Sequence, residues 1–372
     1  MNRIENKICY PAAGLSLIEL MIAIAISSFL MLGLTATFKN SSDAQRALER
    51  SSQLIENGRY AVNLLYEDLR HAGYFGHFFE TGTAPAAFPN PCETGSLANL
   101  EDAMAMPLQG YAAPSLAGYP TITSTPSTCT STLLANSNLS PGSDVLVMRR
   151  ADTDVFTGSP NTNEVYIQSN SRTANLMYGN SSANVPANSA DNDSTANLMK
   201  FPSKTGNTTV ADTRKFRVHV YFVAPCSMGS GLNDVCQGAD DDIPTLKRLE
   251  LTSNGTSTIM DVVPLVEGIE YMKFEYGIDT TPTTVNDVTG QQGDGIPDTY
   301  VTTPTVAQWP MVVSVKVHLL ARSPEATTGY SDAKQYTLAG TTIAAANDEF
   351  KRHVFSSEIR LMNMGGRREI PE

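Results

Sequence analysis

The sequence predicts an α+β protein in which one long N-terminal helix packs on a mostly antiparallel β-sheet head with long loops. An almost unbroken apolar run extends from Gly14 to Phe38, and helical periodicity continues after it to about residue 72. From Lys215 onwards, segments with alternating apolar and polar residues follow one another without helices between them. Consecutive strands of this kind favour antiparallel pairing.

The apolar run at residues 15–38 is the first element to explain. Its length is close to the ~20 residues that a helix needs to cross the hydrocarbon core of a membrane. Between Lys7 and Lys39 the only charged residue is Glu19. A carboxylate on such a helix costs roughly 2–3 kcal/mol, so Glu19 is a candidate functional residue. An ordinary signal peptide has a shorter apolar region without an acid, and a plain single-span anchor is the other alternative.

Residues 39–72 continue the helix as an amphipathic second half. Apolar residues recur there every seven positions, which predicts one buried stripe that covers the sheet; they are Leu48, Ile55, Val62 and Leu69. Gly58 lowers the helix propensity by ~1 kcal/mol relative to Ala. The helix should end near Ala72, with Gly73 as a left-handed cap. A short coiled coil is the alternative for this half.

The head is expected to occupy residues 73–372. Its first part, up to about Gly142, is rich in Pro, Gly, Ser and Ala and predicts loops with short strands. A loop-rich Asn/Ser/Thr insertion is expected at about 157–212, with one short strand at 164–168. The pattern predicts six main strands: 144–149, 216–223, 245–251, 269–276, 311–320 and 353–361.

The formal net charge is −12, and loss of the basic leader (Arg3 and Lys7 against Glu5) would make it −12 − 1 = −13. This acidic balance argues against nucleic acid as a direct partner. The positive-inside rule places the leader in the cytoplasm and everything after Lys39 across the membrane.

The cysteine count predicts two disulfides in the exported part of the chain. Cys9 belongs to the leader, which leaves Cys92, Cys129, Cys226 and Cys236, an even number in an oxidising compartment. Three pairings are possible, and sequence proximity favours Cys92–Cys129 and Cys226–Cys236. Free buried thiols are the alternative.

A group of acids around a Gly-Asp-Gly turn resembles a calcium loop, because Ca²⁺ takes six to eight oxygen ligands. The four acids are Asp279, Asp287, Asp294 and Asp298. The EF-hand spacing is absent, and an Asx-rich turn between two strands explains the same residues. We therefore expect no cofactor, with calcium as the alternative.

The histidines do not predict a catalytic or metal site. None lies four residues from another; they are His71, His77, His219, His318 and His353. His219 and His318 fall on the polar faces of predicted strands, where surface positions are expected. The sequence has no nucleophile elbow and no phosphate-binding loop, so we do not expect an enzyme.

The N-terminal motif, residues 14–21, resembles that of a type IV prepilin. The resemblance implies that residues 1–14 are a leader removed by a prepilin peptidase after Gly14. Leu15 would then be the new N-terminus, which this family methylates; the usual residue there is Phe. It also implies that Glu19 pairs with the N-terminal amine of a neighbouring subunit in the filament.

The head resembles the PilW family of minor pilins. The similar segments are 69–76, 246–249, 265–270, 274–279, 309–323 and 360–363. The resemblance implies a pilin-like fold and a minor pilin that helps initiate type IV pilus assembly. Such a protein lies at or near the pilus tip and supports pilus biogenesis, motility, adhesion or DNA uptake.

The implied partners are other minor pilins, the major pilin, the prepilin peptidase, the inner membrane and a PilY-type tip adhesin. The implied location is the inner membrane of a Gram-negative bacterium with a periplasmic head, and later the pilus tip at the cell surface. Three alternatives remain: a J-type pseudopilin of type II secretion, a tip-exposed binding module and a membrane-anchored enzyme.

Overall fold

The structure, a computed structural model, describes residues 14, 16–79, 84–122, 132–179, 192–193, 198–199, 210–238, 240–281 and 293–369. The chain divides into two compact units, Met1–Ser52 and Gln53–Glu372. The boundary between the two units falls inside the long helix.

The helices are α1 (Leu17–Leu69), α2 (Leu97–Asp102) and α3 (Met362–Gly366). The strands up to the middle of the chain are β1 (Leu108–Tyr111), β2 (Val145–Ala151), β3 (Val165–Ser169), β4 (Ala174–Tyr178), β5 (Asn192–Asp193), β6 (Leu198–Met199) and β7 (Thr213–Ala224). The remaining strands are β8 (Thr245–Ser253), β9 (Thr258–Glu267), β10 (Ile269–Ile278), β11 (Thr299–Val301), β12 (Val312–Arg322), β13 (Tyr336–Leu338), β14 (Thr341–Ile343) and β15 (Arg352–Arg360).

The first part of α1 is apolar and exposed. Its large side chains, including Phe29 and Phe38, are more than half exposed. By length and composition this part is able to cross a membrane. In the head, α1 is followed by a turn in which Gly73 has a φ of +74°, as the sequence predicted for the cap.

The part of α1 from Gln53 onwards packs in the head through a different stripe from the one predicted. The buried apolar residues are Leu54, Ala61, Leu65 and Leu69. Leu48 is 71% exposed, and Ile55 and Val62 are only half buried. The predicted stripe and the real one are about one residue apart, which rotates the buried face by about 100° at 3.6 residues per turn. Only Leu69 belongs to both.

All described strand pairs are antiparallel, which confirms the predicted α+β class. Seven strands form one sheet in which β7 is central: β2 and then β1 lie on one side, and β3–β4 and β8–β9 extend from it. The second sheet has the order β11-β10-β12-β15. Two small pairs, β13–β14 and β5–β6, complete the strands.

The main core lies between α1 and one face of each large sheet. Leu65 of α1, Met148 of β2 and Phe274 of β10 belong to it. Trp309 is fully buried there and contacts Tyr276 with ring centroids 4.7 Å apart. A second core covers the opposite face of the first sheet, against the described segments 75–79, 84–122 and 132–139.

Part of the expected loop-rich insertion belongs to the sheet. Strands β3 and β4 form a hairpin that joins β7, and Val165, Ile167 and Leu176 are buried. The sequence predicted only the first of these strands. Among residues 180–212, the structure describes only the short β5–β6 pair and residues 210–212.

Candidate assembly site

The N-terminal motif places its acid at the beginning of α1. The Glu19 Oε2 atom accepts a hydrogen bond from the backbone N–H of Ser16 at 3.0 Å. The first N–H groups of a helix have no partner within it, and they carry the positive end of the helix dipole. The carboxylate of Glu19 therefore satisfies one of these donors in its own chain. Gly14 is described and Leu15 lies outside the described residues.

This geometry shows what the motif can do chemically. Glu19 is exposed and lies one turn from the expected cleavage point after Gly14. Cleavage there would create a positive amine at residue 15, and a second subunit could present its own amine to the same carboxylate. The pairing with a neighbour remains a prediction, because it involves a second chain.

At the other end of α1, a buried carboxylate joins the helix to the first sheet. Asp68 Oδ1 accepts from Arg150 Nε of β2 at 2.9 Å. Its other oxygen lies 2.5 Å from His219 Nδ1 and accepts from Tyr221 Oη at 2.5 Å, both on β7. Burial alone would raise the pKa of Asp68, but His219, Arg150 and Tyr221 together lower it below its usual range.

His219 is therefore not the surface residue that the sequence predicted. It is only 4% exposed, because the face of β7 that carries it lies under the last turn of α1. The strand pattern could not show this, since the covering residue, Asp68, is 151 positions away. The sequence nevertheless contained a signal for this contact. Asp68 lies beside Leu69 in the last turn of α1, on a helix face that is otherwise apolar.

The other histidines make ordinary contacts. His318 bridges Ser356 Oγ and Glu275 Oε2, each at 2.9 Å. His71 contacts the backbone oxygen of Glu67 at 2.7 Å. Within the described part of the chain, no group of three or more His, Cys, Asp or Glu residues is placed to hold a metal ion.

The acids of the predicted calcium loop have separate partners. Asp279 is fully buried and its Oδ2 accepts from Arg368 Nε at 2.9 Å. Burial raises the pKa of Asp279, but hydrogen bonds from Thr281 and the charge of Arg368 lower it overall. Asp294 and Asp298 accept from turn residues. Asp287 lies outside the described residues, so the expected absence of a cofactor and its calcium alternative both stay predictions.

One predicted disulfide, Cys226–Cys236, is confirmed. Lys247 lies beside it and pairs with Asp234 at 2.6 Å, so the short loop closed by the disulfide is also held by a buried ion pair. Cys92 is disulfide-bonded as well. Its expected partner, Cys129, lies outside the described residues.

A comparison with known protein families agrees with the apolar helix and the acid found at the N-terminus. Residues 11–35 match the family model described as the prokaryotic N-terminal methylation motif. Together with the apolar helix, this match defines a prepilin-type protein that is anchored in a membrane. Residues 220–363 match the family model described as type IV pilus-assembly protein W. This part of the head is therefore similar to the PilW family of type IV pilus-assembly proteins.

Among solved structures, the chain is similar to a type IV-like pilin from Thermus thermophilus, with 11% identity and a TM-score of 0.33. The similarity covers 84% of this chain and 98% of that one. No curated protein matches the chain in sequence.

Proposed function

We propose that this protein is a minor pilin that helps to initiate type IV pilus assembly and lies at or near the pilus tip, where its head acts by docking and not by catalysis. The observation that carries the proposal is the combination of an exposed apolar helical segment, residues 17–38, in which Glu19 is the only acid, with a head that matches the PilW model over residues 220–363. An exposed apolar helix needs lipid or other helices around it.

The head itself supports a terminal position. It comprises the unit Gln53–Glu372 and has long loops between its strands. A subunit at the end of a filament has no neighbour above its head, so long exposed loops are accommodated there without steric conflict. We propose other minor pilins, the major pilin and a PilY-type tip adhesin as its partners. The head would be periplasmic in a Gram-negative cell before assembly, and the pilus would serve motility, adhesion or DNA uptake.

Processing after Gly14 is the first expected result. The protein extracted from membranes should begin at Leu15 and carry one N-terminal methyl group, because the motif matches prepilin substrates. Mass spectrometry of the N-terminal peptide measures this directly. An intact Met1, or cleavage near Ala36, would contradict the prepilin mechanism.

The second expected result concerns Glu19. The change Glu19→Ala should leave membrane insertion intact, because it removes the only charge of the apolar segment. It should reduce the amount of the protein in sheared pili, because the amine of a neighbouring subunit loses its counter-charge. Immunoblots of sheared pili and of membranes measure the two quantities.

A matched control is Glu49→Ala, which removes an acid from the exposed surface of the same helix. That variant should enter pili normally. Equal amounts of the Glu19→Ala and unchanged proteins in sheared pili would contradict the pairing role of Glu19.

A further inference from the structure

Edge strand β15 differs from the other sheet edges that the structure describes. The edges β1, β4 and β11 have five residues or fewer, and β9 contains Pro264 and a register irregularity. In contrast, β15 has nine residues, no proline and an uninterrupted register with β12. Natural proteins usually shorten, bend or block long edges, because exposed backbone groups pair with other chains.

The register shows which backbone groups of β15 face the open side. Ser323 N–H donates to Lys351 O and Leu361 N–H donates to Val313 O, so odd-numbered residues of this segment face β12. Because the direction alternates along a strand, Val354, Ser356 and Glu358 direct their N–H and C=O groups outwards. Consistently, the even-numbered Arg352 uses its carbonyl oxygen to accept from Tyr336 Oη.

The open side of β15 borders a groove with room for another chain. The groove has a volume of about 490 Å³ and lies between β15 and the head part of α1. Its lining residues are Arg59, Val62, Asn63, Tyr66, Phe355, Ser356 and Ser357. The groove therefore combines a row of backbone donors and acceptors with a partly apolar wall.

We propose that the outer edge of β15 receives an extended strand from a neighbouring, different pilus subunit, and that this strand carries an acidic residue opposite Arg59. Strand addition satisfies the outward backbone groups, and the wall of the groove selects the side chains. Arg59 is exposed and has no ion-pair partner among the described residues, so charge complementarity favours an acidic partner. This inference rests on the proposed function.

A second copy of this chain is a poorer occupant. If two β15 strands paired antiparallel over their full length, Arg352 would lie opposite Arg360 at both ends. Both arginines already have acidic partners in their own chain, Glu270, Asp332 and Asp348 for Arg352 and Glu369 for Arg360, so this pairing would gain no charge attraction. The acid of a second copy's β15, Glu358, already accepts a hydrogen bond from Tyr300 Oη of its own chain, and two copies would bring two Arg59 side chains to one groove.

The test places a photoreactive phenylalanine analogue at Asn63 of the full-length protein in its own cells. Asn63 lines the groove, and Tyr60, an exposed aromatic residue outside the lining, is the control position. We expect adducts from position 63, but not from position 60, with a protein that also carries a prepilin motif. Mass spectrometry of the adduct should map the cross-link to an extended segment with an acid.

The change Ser356→Pro, combined with the probe at position 63, tests the backbone pairing. Proline removes an outward N–H and obstructs an added strand, while the inward bonds of β15 to β12 remain. We expect the adduct yield to fall about tenfold, since two or three hydrogen bonds are lost together. Ser356→Ala, which removes only the hydroxyl bonded to His318, should leave the yield unchanged.

If the Ser356→Pro protein does not accumulate in cells, the change Arg59→Glu is measured by the same adduct yield from position 63. The yield should fall in Arg59→Glu and stay unchanged in the control Arg59→Lys. An unchanged yield in Ser356→Pro or Arg59→Glu, adducts with a second copy of this chain, or adducts with a protein that is not a pilin would overturn the proposal. Deletion of the whole protein tests the proposed function separately: unchanged pilus numbers would refute that function, whereas the adducts report only on β15.

Discussion

Replacing Asp68 with alanine should lower the free energy of unfolding of the head by about 3–5 kcal/mol, the usual cost of removing one member of a buried ion pair. The change leaves Arg150 and His219 without their shared carboxylate and deprives Tyr221 of its acceptor. It also removes the polar link between the end of α1 and strands β2 and β7. Urea unfolding of the full-length protein in detergent, followed by the fluorescence of the single, buried Trp309, measures the effect.

The matched control for Asp68→Ala is Glu67→Ala, one residue earlier on the same helix. Glu67 forms only an exposed pair with Arg70, so its loss should cost less than about 1 kcal/mol. His219→Gln should destabilise the head as well, because the glutamine amide does not occupy the position of the His219 Nδ1 atom that is bonded to Asp68. Equal unfolding midpoints for the Asp68 and Glu67 variants would contradict the role assigned to Asp68.

The pH dependence of the Asp68 contribution has a definite sign. The pKa of Asp68 is lowered in the folded head, so the unfolded chain takes up its proton first as the pH falls. The stability that Asp68 contributes is therefore complete above the ordinary aspartate pKa of about 4 and is lost progressively below it. The stability difference between the unchanged protein and Asp68→Asn should narrow only below about pH 4. Narrowing between pH 7 and pH 5 would contradict this assignment.

Gly58→Ala should destabilise the head by about 1–3 kcal/mol, the usual range for overpacking, although alanine favours a helix by ~1 kcal/mol over glycine. A Cβ atom at position 58 would lie 2.1 Å from Cε2 of Phe355, so the Phe355 ring or the helix must move. The glycine that seemed from the sequence to weaken α1 thus makes room for the edge strand β15. The same urea titration with Trp309 fluorescence measures the change.

A double-mutant cycle separates the steric effect from the helix propensity. In a Phe355→Ala background the obstacle is absent, so Gly58→Ala should become neutral or stabilising. A similar destabilisation by Gly58→Ala in both backgrounds would show that the Phe355 ring is not the cause. The cycle also tests the contact that positions β15 beside α1, on which the proposed docking groove depends.

Several features of this protein could be predicted from local sequence. The apolar run predicts the N-terminal helix, because length and composition alone decide whether a segment suits a membrane. Its prepilin character came from the resemblance of the motif at residues 14–21. Period-two patterns located strands such as β10 and β12, since alternation records which side chains face the core. Cys226 and Cys236 were paired correctly because a loop of so few residues holds both thiols close together.

The tertiary structure decided the features that depend on contacts between distant residues. The buried face of α1 runs through Leu54 and Leu65 because the positions of both sheets select it, whereas the seven-residue repeat favoured a neighbouring face. His219 and Asp279 are buried because folding brings them hydrogen-bond partners, Asp68 and Arg368, from 151 and 89 residues away. A strand pattern records only which residues are polar, and burial of a polar residue depends on whether folding brings it a partner of the opposite charge.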